Sequence, residues 1–386
     1  MAATSSVFPI ELYELIIDWV HWQGLRSDQQ PYVRLSALRA CALTCRTWFH
    51  RSQTNLFFQL FIIQTSHYRS TILPIQIAQI LQDKPHLCSH VRCIYLTLPD
   101  PTSALLVLGP LTPNLRNLYI NCHQLPQRTF PNPDFYAAIN TFRRSIRTLA
   151  IWHTNKMGGH DHLFDTVALF RLMERIPNLR VLEIDRFTLY APSVRIPAFL
   201  NTHRLRLHTL ILRIYPLTIP WEDLSEALTK NRSFLSTLRR LCIWNAGYLS
   251  DRINLTCTGL RRIYFTYCVA DLTIHNFTNL AQRLPDTGIE EIHITLAISI
   301  RRLREEEYWR KPLDMALTAT SPKTLRAVRF GLECPSDEDS ATDLGELLPN
   351  LFPLLHARGI LGSGATGADE ICQTWRLEPA FQGDTE

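Results

Sequence analysis

Between residues 91 and 331 one short pattern returns nine times. The copies are VRCIYLTL at 91, LRNLYIN at 115, IRTLAIW at 146, LRVLEID at 179, LHTLILR at 207, LRRLCIW at 238, LRRIYFT at 260, IEEIHIT at 289 and LRAVRFG at 325. Each is apolar at its first, fourth and sixth positions, the alternation of a strand with one side buried. The starts lie 24, 31, 33, 28, 31, 22, 29 and 36 residues apart. A unit of this size cannot hide its apolar side alone, so the copies must stack on one another, and the uneven spacing predicts an irregular solenoid. Three Pro-Asn-Leu triplets, at Pro113, Pro177 and Pro349, suggest a turn reused between helix and strand.

Helix-like segments lie between the strand candidates: IQIAQIL at 75, LFDTVALFRLMERI at 163, WEDLSEAL at 221 and LDMALTA at 313. A strand with its right-handed crossover forms one unit, and stacked units give parallel strands lining a concave face. The expected fold class is therefore an α/β horseshoe, with residues 61–90 as a linker and capping helix, a solenoid over 91–360 and a flexible tail at 361–386. ILPIQIAQILQDKPH would cap the first repeat and LLPNLFPLLHARGIL the last. Alternation turns the third, fifth and seventh positions outward, among them Tyr95, Asn117, Glu183, Arg240, Arg262 and His293. Exposed aromatics and arginines on a rigid surface are the types that dominate binding hot spots. The expected target-binding strip comprises Tyr119, Trp152, Asp185, Arg213, Trp244 and Tyr264.

Composition narrows the rest. With 46% hydrophobic and 19% charged residues the chain is an ordered globular protein. No apolar run approaches the roughly 20 residues of a membrane span, and Glu11, Glu14 and Asp18 interrupt the N-terminal apolar stretch as a signal peptide would not. An intracellular protein, cytoplasmic or nuclear, is expected. Its ten cysteines show no CxxC pairing and read as small core residues. Of the 40 basic residues only five are lysines, leaving 35 arginines; no basic run is present, so neither nucleic acid nor membrane is an expected partner, and the arginine excess reads as codon bias.

Ahead of the repeats, FPIELYELIIDWV carries a stripe of Leu12, Leu15, Ile16, Trp19 and Val20 with Pro9 at its start. LRACALTCRTWFHRS, placed on a helix, aligns Leu38, Cys41, Ala42, Cys45, Trp48, Phe49 and Ser52 on one face, with Arg39, Arg46 and Arg51 turned to water or a partner. Residues 1–60 thus form a small helical unit whose apolar surface exceeds what its own core can hide. Phe8-Pro9, Glu11-Leu12, Ile16-Ile17, LRACALTCRTW and Leu56-Phe57 resemble the F-box, especially its fungal form, over roughly residues 7 to 60. The repeats behind it resemble degenerate leucine-rich repeats. The resemblance implies a Skp-type adaptor as partner and, through it, a cullin-RING ubiquitin ligase. It places Phe8, Pro9, Leu12, Leu15, Ile16, Leu38, Cys41, Leu43, Cys45 and Trp48 in adaptor contact or internal packing, without separating the two. Residues 21–37 form a longer insertion between the first and second helices than the family usually has.

Other motifs carry little. GSGATG, Gly362 to Gly367, has dinucleotide-loop spacing but too few residues after it to complete the βαβ unit, and reads as a flexible loop. MGGHDH, with His160 and His162, lacks a second ligand cluster and reads as a glycine-hinged loop; SDEDSATD, 336–343, reads as a solvated acidic loop. No catalytic constellation, metal or cofactor is expected. The expected function is that of a substrate-receptor subunit of a Skp–cullin–F-box ligase, the alternative being a repeat scaffold that works without a ligase.

Overall fold

Each copy of the repeated pattern forms one strand, and neighbouring copies pair in parallel. The computed structural model describes residues 10–26, 31–63, 72–98, 101–122, 129–130, 133–153, 163–190, 207–214, 236–244, 259–268, 288–296, 300–305, 307–319, 324–332 and 341–363. Its strands are β1 (Gln59–Ile63), β2 (Cys93–Leu98), β3 (Asn117–Cys122), β4 (Thr129–Phe130), β5 (Thr148–His153), β6 (Leu163–Asp165) and β7 (Val181–Tyr190). They continue with β8 (Thr209–Ile214), β9 (Arg240–Trp244), β10 (Arg262–Cys268), β11 (Glu291–Leu296), β12 (Ala327–Leu332) and β13 (Leu361–Ser363). Its helices are α1 (Ile10–Arg26), α2 (Pro31–Thr44), α3 (Arg46–Phe58), α4 (Ile72–Asp83), α5 (Pro85–Cys88), α6 (Thr102–Leu108), α7 (Pro133–Asn140) and α8 (Thr166–Arg175). The last four are α9 (Ile300–Glu305), α10 (Glu307–Ala319), α11 (Ala341–Leu351) and α12 (Pro353–Ala357). Eleven strands run in the order β1-β2-β3-β5-β7-β8-β9-β10-β11-β12-β13, and β4 and β6 form an annex along the far half of β7. The chain is α/β, with one parallel sheet and helices.

The strands are in phase. Gln59, Cys93, Asn117, Thr148, Val181, Thr209, Arg240, Arg262, Glu291 and Ala327, each the third residue of its repeat, are partners in one continuous line. Apolar demand enforces this register. The first, fourth and sixth residues of all nine copies, from Val91, Ile94 and Leu96 to Leu325, Val328 and Phe330, lie in one buried cluster, and a slip of one residue would turn a strand's apolar set outward. Helices close the cluster from the other side with Leu81, Leu105, Phe135, Leu172, Leu317, Leu348 and Leu355.

The reused turn has a bonding role. Asn178 Nδ2 donates to the Arg144 carbonyl at 2.7 Å and Asn114 Nδ2 to the Ser89 carbonyl at 3.2 Å. The hydroxyls of Thr237 and Thr324, at the same point of their repeats, donate to the carbonyls of Leu207 and Ile289 at 3.1 and 3.0 Å. The residue ahead of position one therefore ties its turn to the preceding repeat through a side-chain donor. Gly259 holds this place in its own repeat, so close to Ser236 that a Cβ would sit 2.3 Å from that carbonyl oxygen. Pro349 belongs to no such turn; it lies inside α11.

Several boundaries differ from expectation. LRACALTCRTWFHRS is not one helix: Cys45 is extended (φ −160°, ψ 166°), and the break lets α2 pack back on α3. Residues 21–37 are mostly helical, because α1 runs to Arg26 and α2 begins at Pro31, the first-turn place proline favours. The sheet opens earlier than the first recognised repeat, with β1 at 59–63 following α3 directly, and α4 comes after it. The sheet closes on Leu361–Ser363, so Gly362 and Ser363 of GSGATG are strand residues paired with Arg329 and Phe330. LFD at 163 is the strand β6 rather than the start of a helix. MGGHDH, WEDLSEAL and residues 364–386 lie outside the described residues.

Candidate functional site

α1 is apolar on two sides, and only one is covered. Tyr13, Ile17 and His21 turn inward: Ile17 and His21 are buried, the Tyr13 ring lies 5.5 Å from Trp48, and the His21 ring 5.1 Å from Phe58. The larger stripe faces out. Leu15 and Trp19 are each 62% exposed, Ile16 50% and Leu12 44%, and with Tyr13 they line an apolar groove of ≈ 370 Å³. Contiguous exposed aliphatics with a tryptophan are uncommon on a finished surface and mark contact sites.

Asp18 fixes which side is which. It accepts a 2.8 Å bond from Arg51 Nε, a second from Arg51 Nη2, and a 2.9 Å bond from Asn55 Nδ2, joining α1 to α3. Burial works against the Asp18 charge, but the bonds from Arg51 and Asn55 and the Arg51 charge outweigh it and hold the carboxyl below its ordinary pKa. Arg51, expected to face water or a partner, is committed to this pair.

The residues drawn from the F-box resemblance separate by burial. Leu12, Leu15 and Ile16 share the groove, and Leu43 (87%) and Cys45 are exposed on the α2 end and the break after it. Cys41 and Trp48 are half-buried, Trp48 against Tyr13. Leu38 is fully buried, so it packs the module internally and is not open to a partner. Phe8 and Pro9 lie outside the described residues. Trp19 and Tyr13 are groove residues missing from that set, although the i, i+3, i+4 stripe already placed Trp19 beside Leu12, Leu15 and Ile16.

The sheet face away from the helices is less open than alternation suggests. Tyr119 is 2% exposed, Tyr264 1% and Asp185 6%; none stands out into solvent as expected, and Glu183 is buried with them. In-phase pairing sets fifth-position residues of adjacent strands about 4.8 Å apart, close to ring-stacking distance, so consecutive rings cover one another. Phe61 stacks on Tyr95 at 5.0 Å, Tyr95 on Tyr119 at 4.2 Å with ring planes 9° apart, and Trp152 lies 6.1 Å beyond, half-buried. Phe58, Cys93 and Ala150 complete this cluster. Tyr264 shares a 2.8 Å hydrogen bond with the Thr295 hydroxyl, its ring 5.3 Å from His293.

Four members of the expected strip do come together. Trp152, Asp185, Arg213 and Trp244 are seventh residues paired in one line across β5, β7, β8 and β9. The side chains of Arg213 and Trp244 are outside the described part. Toward the C-terminal strands the same face is charged: Glu291 bonds Arg262 at 3.3 Å and lies 3.7 Å from His293 Nε2, with Arg329 exposed one strand on. Burial, with the Arg329 charge, pushes the His293 pKa below its ordinary value despite Glu291.

Cys41 and Cys45 are free thiols, and among the described residues no three His, Cys, Asp or Glu side chains gather as metal ligands. Nor is any described helix long and apolar enough to cross a membrane. No protein-family model matches the chain, and no curated protein matches it.

Proposed function

We propose that this protein is a substrate-receptor subunit of a Skp–cullin–F-box type ubiquitin ligase. On this reading α1 to α3 are an F-box module that docks a Skp-type adaptor, and the sheet with its helices is an irregular leucine-rich-repeat horseshoe that holds a target protein. The observation that carries the proposal is the open groove of Leu12, Leu15, Ile16 and Trp19, a ready seat for an apolar partner surface beside a module already closed on its other side. Leu43 and Cys45 extend the contact. The target sits on the line through Trp152, Arg213 and Trp244, with Asp185 buried between the first two and the Tyr119 ring beside Trp152 within the sheet face. The protein itself performs no chemistry and needs no cofactor; tethering raises the effective concentration of target lysines near the ubiquitin-charged enzyme, in cytoplasm or nucleus.

The test is calorimetric titration of the full chain with a purified Skp-type adaptor. Leu15→Asp with Trp19→Ser changes side chains that are mostly solvated, so far-UV circular dichroism stays unchanged while affinity falls by about 30-fold or more, the loss of one hot spot. Absence of binding by the wild type removes the ligase reading and leaves the ligase-independent repeat scaffold.

A further inference from the structure

Of the chain's 40 basic residues only five are lysine, Lys84, Lys156, Lys230, Lys311 and Lys323, against 35 arginines. Lysine is ordinarily among the commonest residues. Codon bias, the expected reason, does not fit the rest of the composition. A G+C-rich coding sequence that trades lysine for arginine also enriches glycine and alanine and thins isoleucine, yet the chain has 14 glycines, 26 alanines and 31 isoleucines. Glycine stands at about half its usual share of roughly 7%.

Fold geometry accounts for part of the preference. Arg51 holds Asp18 with two nitrogens, and Arg239, Arg310 and Arg358 donate to the carbonyls of Gly259, Arg304 and Thr318, contacts in which a rigid planar fork loses less freedom than an ammonium on a flexible stem. Arg143, Arg171, Arg304 and Arg326 are exposed, and water solvates an ammonium at such places as readily as a guanidinium. Arginine stands there too. Placement sharpens the contrast. Lys84 lies exposed in the turn between α4 and α5, Lys311 exposed on α10, and the other three lysines lie outside the described residues. Between Lys84 and Lys311 run eight strands of the main sheet, β2 to β11, a width of about 34 Å at about 4.8 Å per step, and among the described residues of that stretch none is lysine.

We propose that the scarcity of lysine protects this chain as a receptor, so that ubiquitin passes to the bound target and spares its carrier. The inference rests on the ligase reading. In such a transfer an unprotonated lysine Nζ attacks the thioester carbonyl that joins ubiquitin to its carrier enzyme. The C–N isopeptide bond forms, the C–S bond breaks, the enzyme keeps the thiolate and the amine sheds a proton to solvent. A guanidinium cannot take that part, because it stays protonated and its nitrogen lone pairs are delocalised. A receptor held beside the charged enzyme presents its own surface at the same high effective concentration as its target's, so each lysine it lacks removes a competing acceptor. Arginine in its place leaves the net charge unchanged.

The experiment reconstitutes the full chain with purified Skp-type adaptor, cullin-RING ligase, charging enzymes and ubiquitin, and follows modification of the chain by gel shift and peptide mass spectrometry. The comparison is a variant with Arg143→Lys, Arg171→Lys, Arg304→Lys and Arg326→Lys, its fold checked by far-UV circular dichroism; five lysines plus four make nine. Self-modification rises about twofold or more in the variant, with ubiquitin on the new lysines. Should that variant fail to fold, Arg171→Lys with Arg326→Lys carries the same test. Equal modification of wild type and folded variant, or none on the new lysines while free ubiquitin chains are built in the same tube, overturns the inference and leaves the ligase reading standing. Absence of adaptor binding by the wild type, measured by calorimetry, overturns both.

Discussion

Tyr119 offers the sharpest division between a residue that holds the sheet and one that holds a guest. Its ring is 2% exposed, stacked at 4.2 Å on Tyr95 and flanked by Trp152. Truncation to alanine removes roughly 120–150 Å² of buried surface, worth about 3–4 kcal/mol at about 25 cal/mol per Å². The cavity left between two strands that cannot close up without breaking register keeps the total in the range of about 3–5 kcal/mol. Part of the loss is pairwise. A double-mutant cycle of Tyr95→Ala and Tyr119→Ala isolates a coupling of about 0.5–1.5 kcal/mol for the stacked rings. Urea unfolding followed by far-UV circular dichroism measures all three variants. A Tyr119→Ala protein less than about 1 kcal/mol weaker than wild type, with no coupling to Tyr95, refutes the stacking argument and returns Tyr119 to the solvent-facing strip.

Two further outcomes follow from particular contacts. Arg51→Ala destabilises the helical module by about 1–2 kcal/mol, a figure reduced for screening because Arg51 is 39% exposed. Because the Asp18 carboxyl is held below its ordinary pKa, this contribution is complete above the unfolded-state value and disappears as pH falls through the lowered folded one; an acid titration of Arg51→Ala that superimposes on wild type contradicts it. Gly259→Ala costs about 1–3 kcal/mol because the new methyl meets the Ser236 backbone, whereas Gly359→Ala costs about 1 kcal/mol through φ +68° alone, with nothing within 4 Å; thermal unfolding of the pair separates overlap from backbone strain.

The sheet was legible where a requirement is local. Positions one, four and six need apolar side chains in every copy, so nine strands could be counted and their inner residues named. β1 escaped because NLFFQLFII satisfies helical spacing and strand alternation alike, and apolar Phe58 stands at the second position, where seven of the nine copies carry arginine. The break at Cys45 carries no proline or glycine; it exists because α2 and α3 pack on each other, a tertiary demand. Burial of Tyr119 and Tyr264 depends on rings and hydroxyls one repeat away, some 24 to 31 residues distant in the chain. The exposed stripe of α1 was visible as a stripe, but which of its two apolar sides would be covered was decided by Asp18, Arg51 and Asn55.

The line of third residues that meets strand to strand without offset has an evolutionary consequence. Excising or duplicating one whole unit leaves every remaining rung matched to its neighbour, so such a molecule can grow or shrink during descent while keeping both long edges flush. A single-residue deletion inside a strand does the opposite, inverting greasy and wetted sides for that rung alone. Lineages of this architecture are free to vary in how many units they carry and tightly bound in how each unit begins.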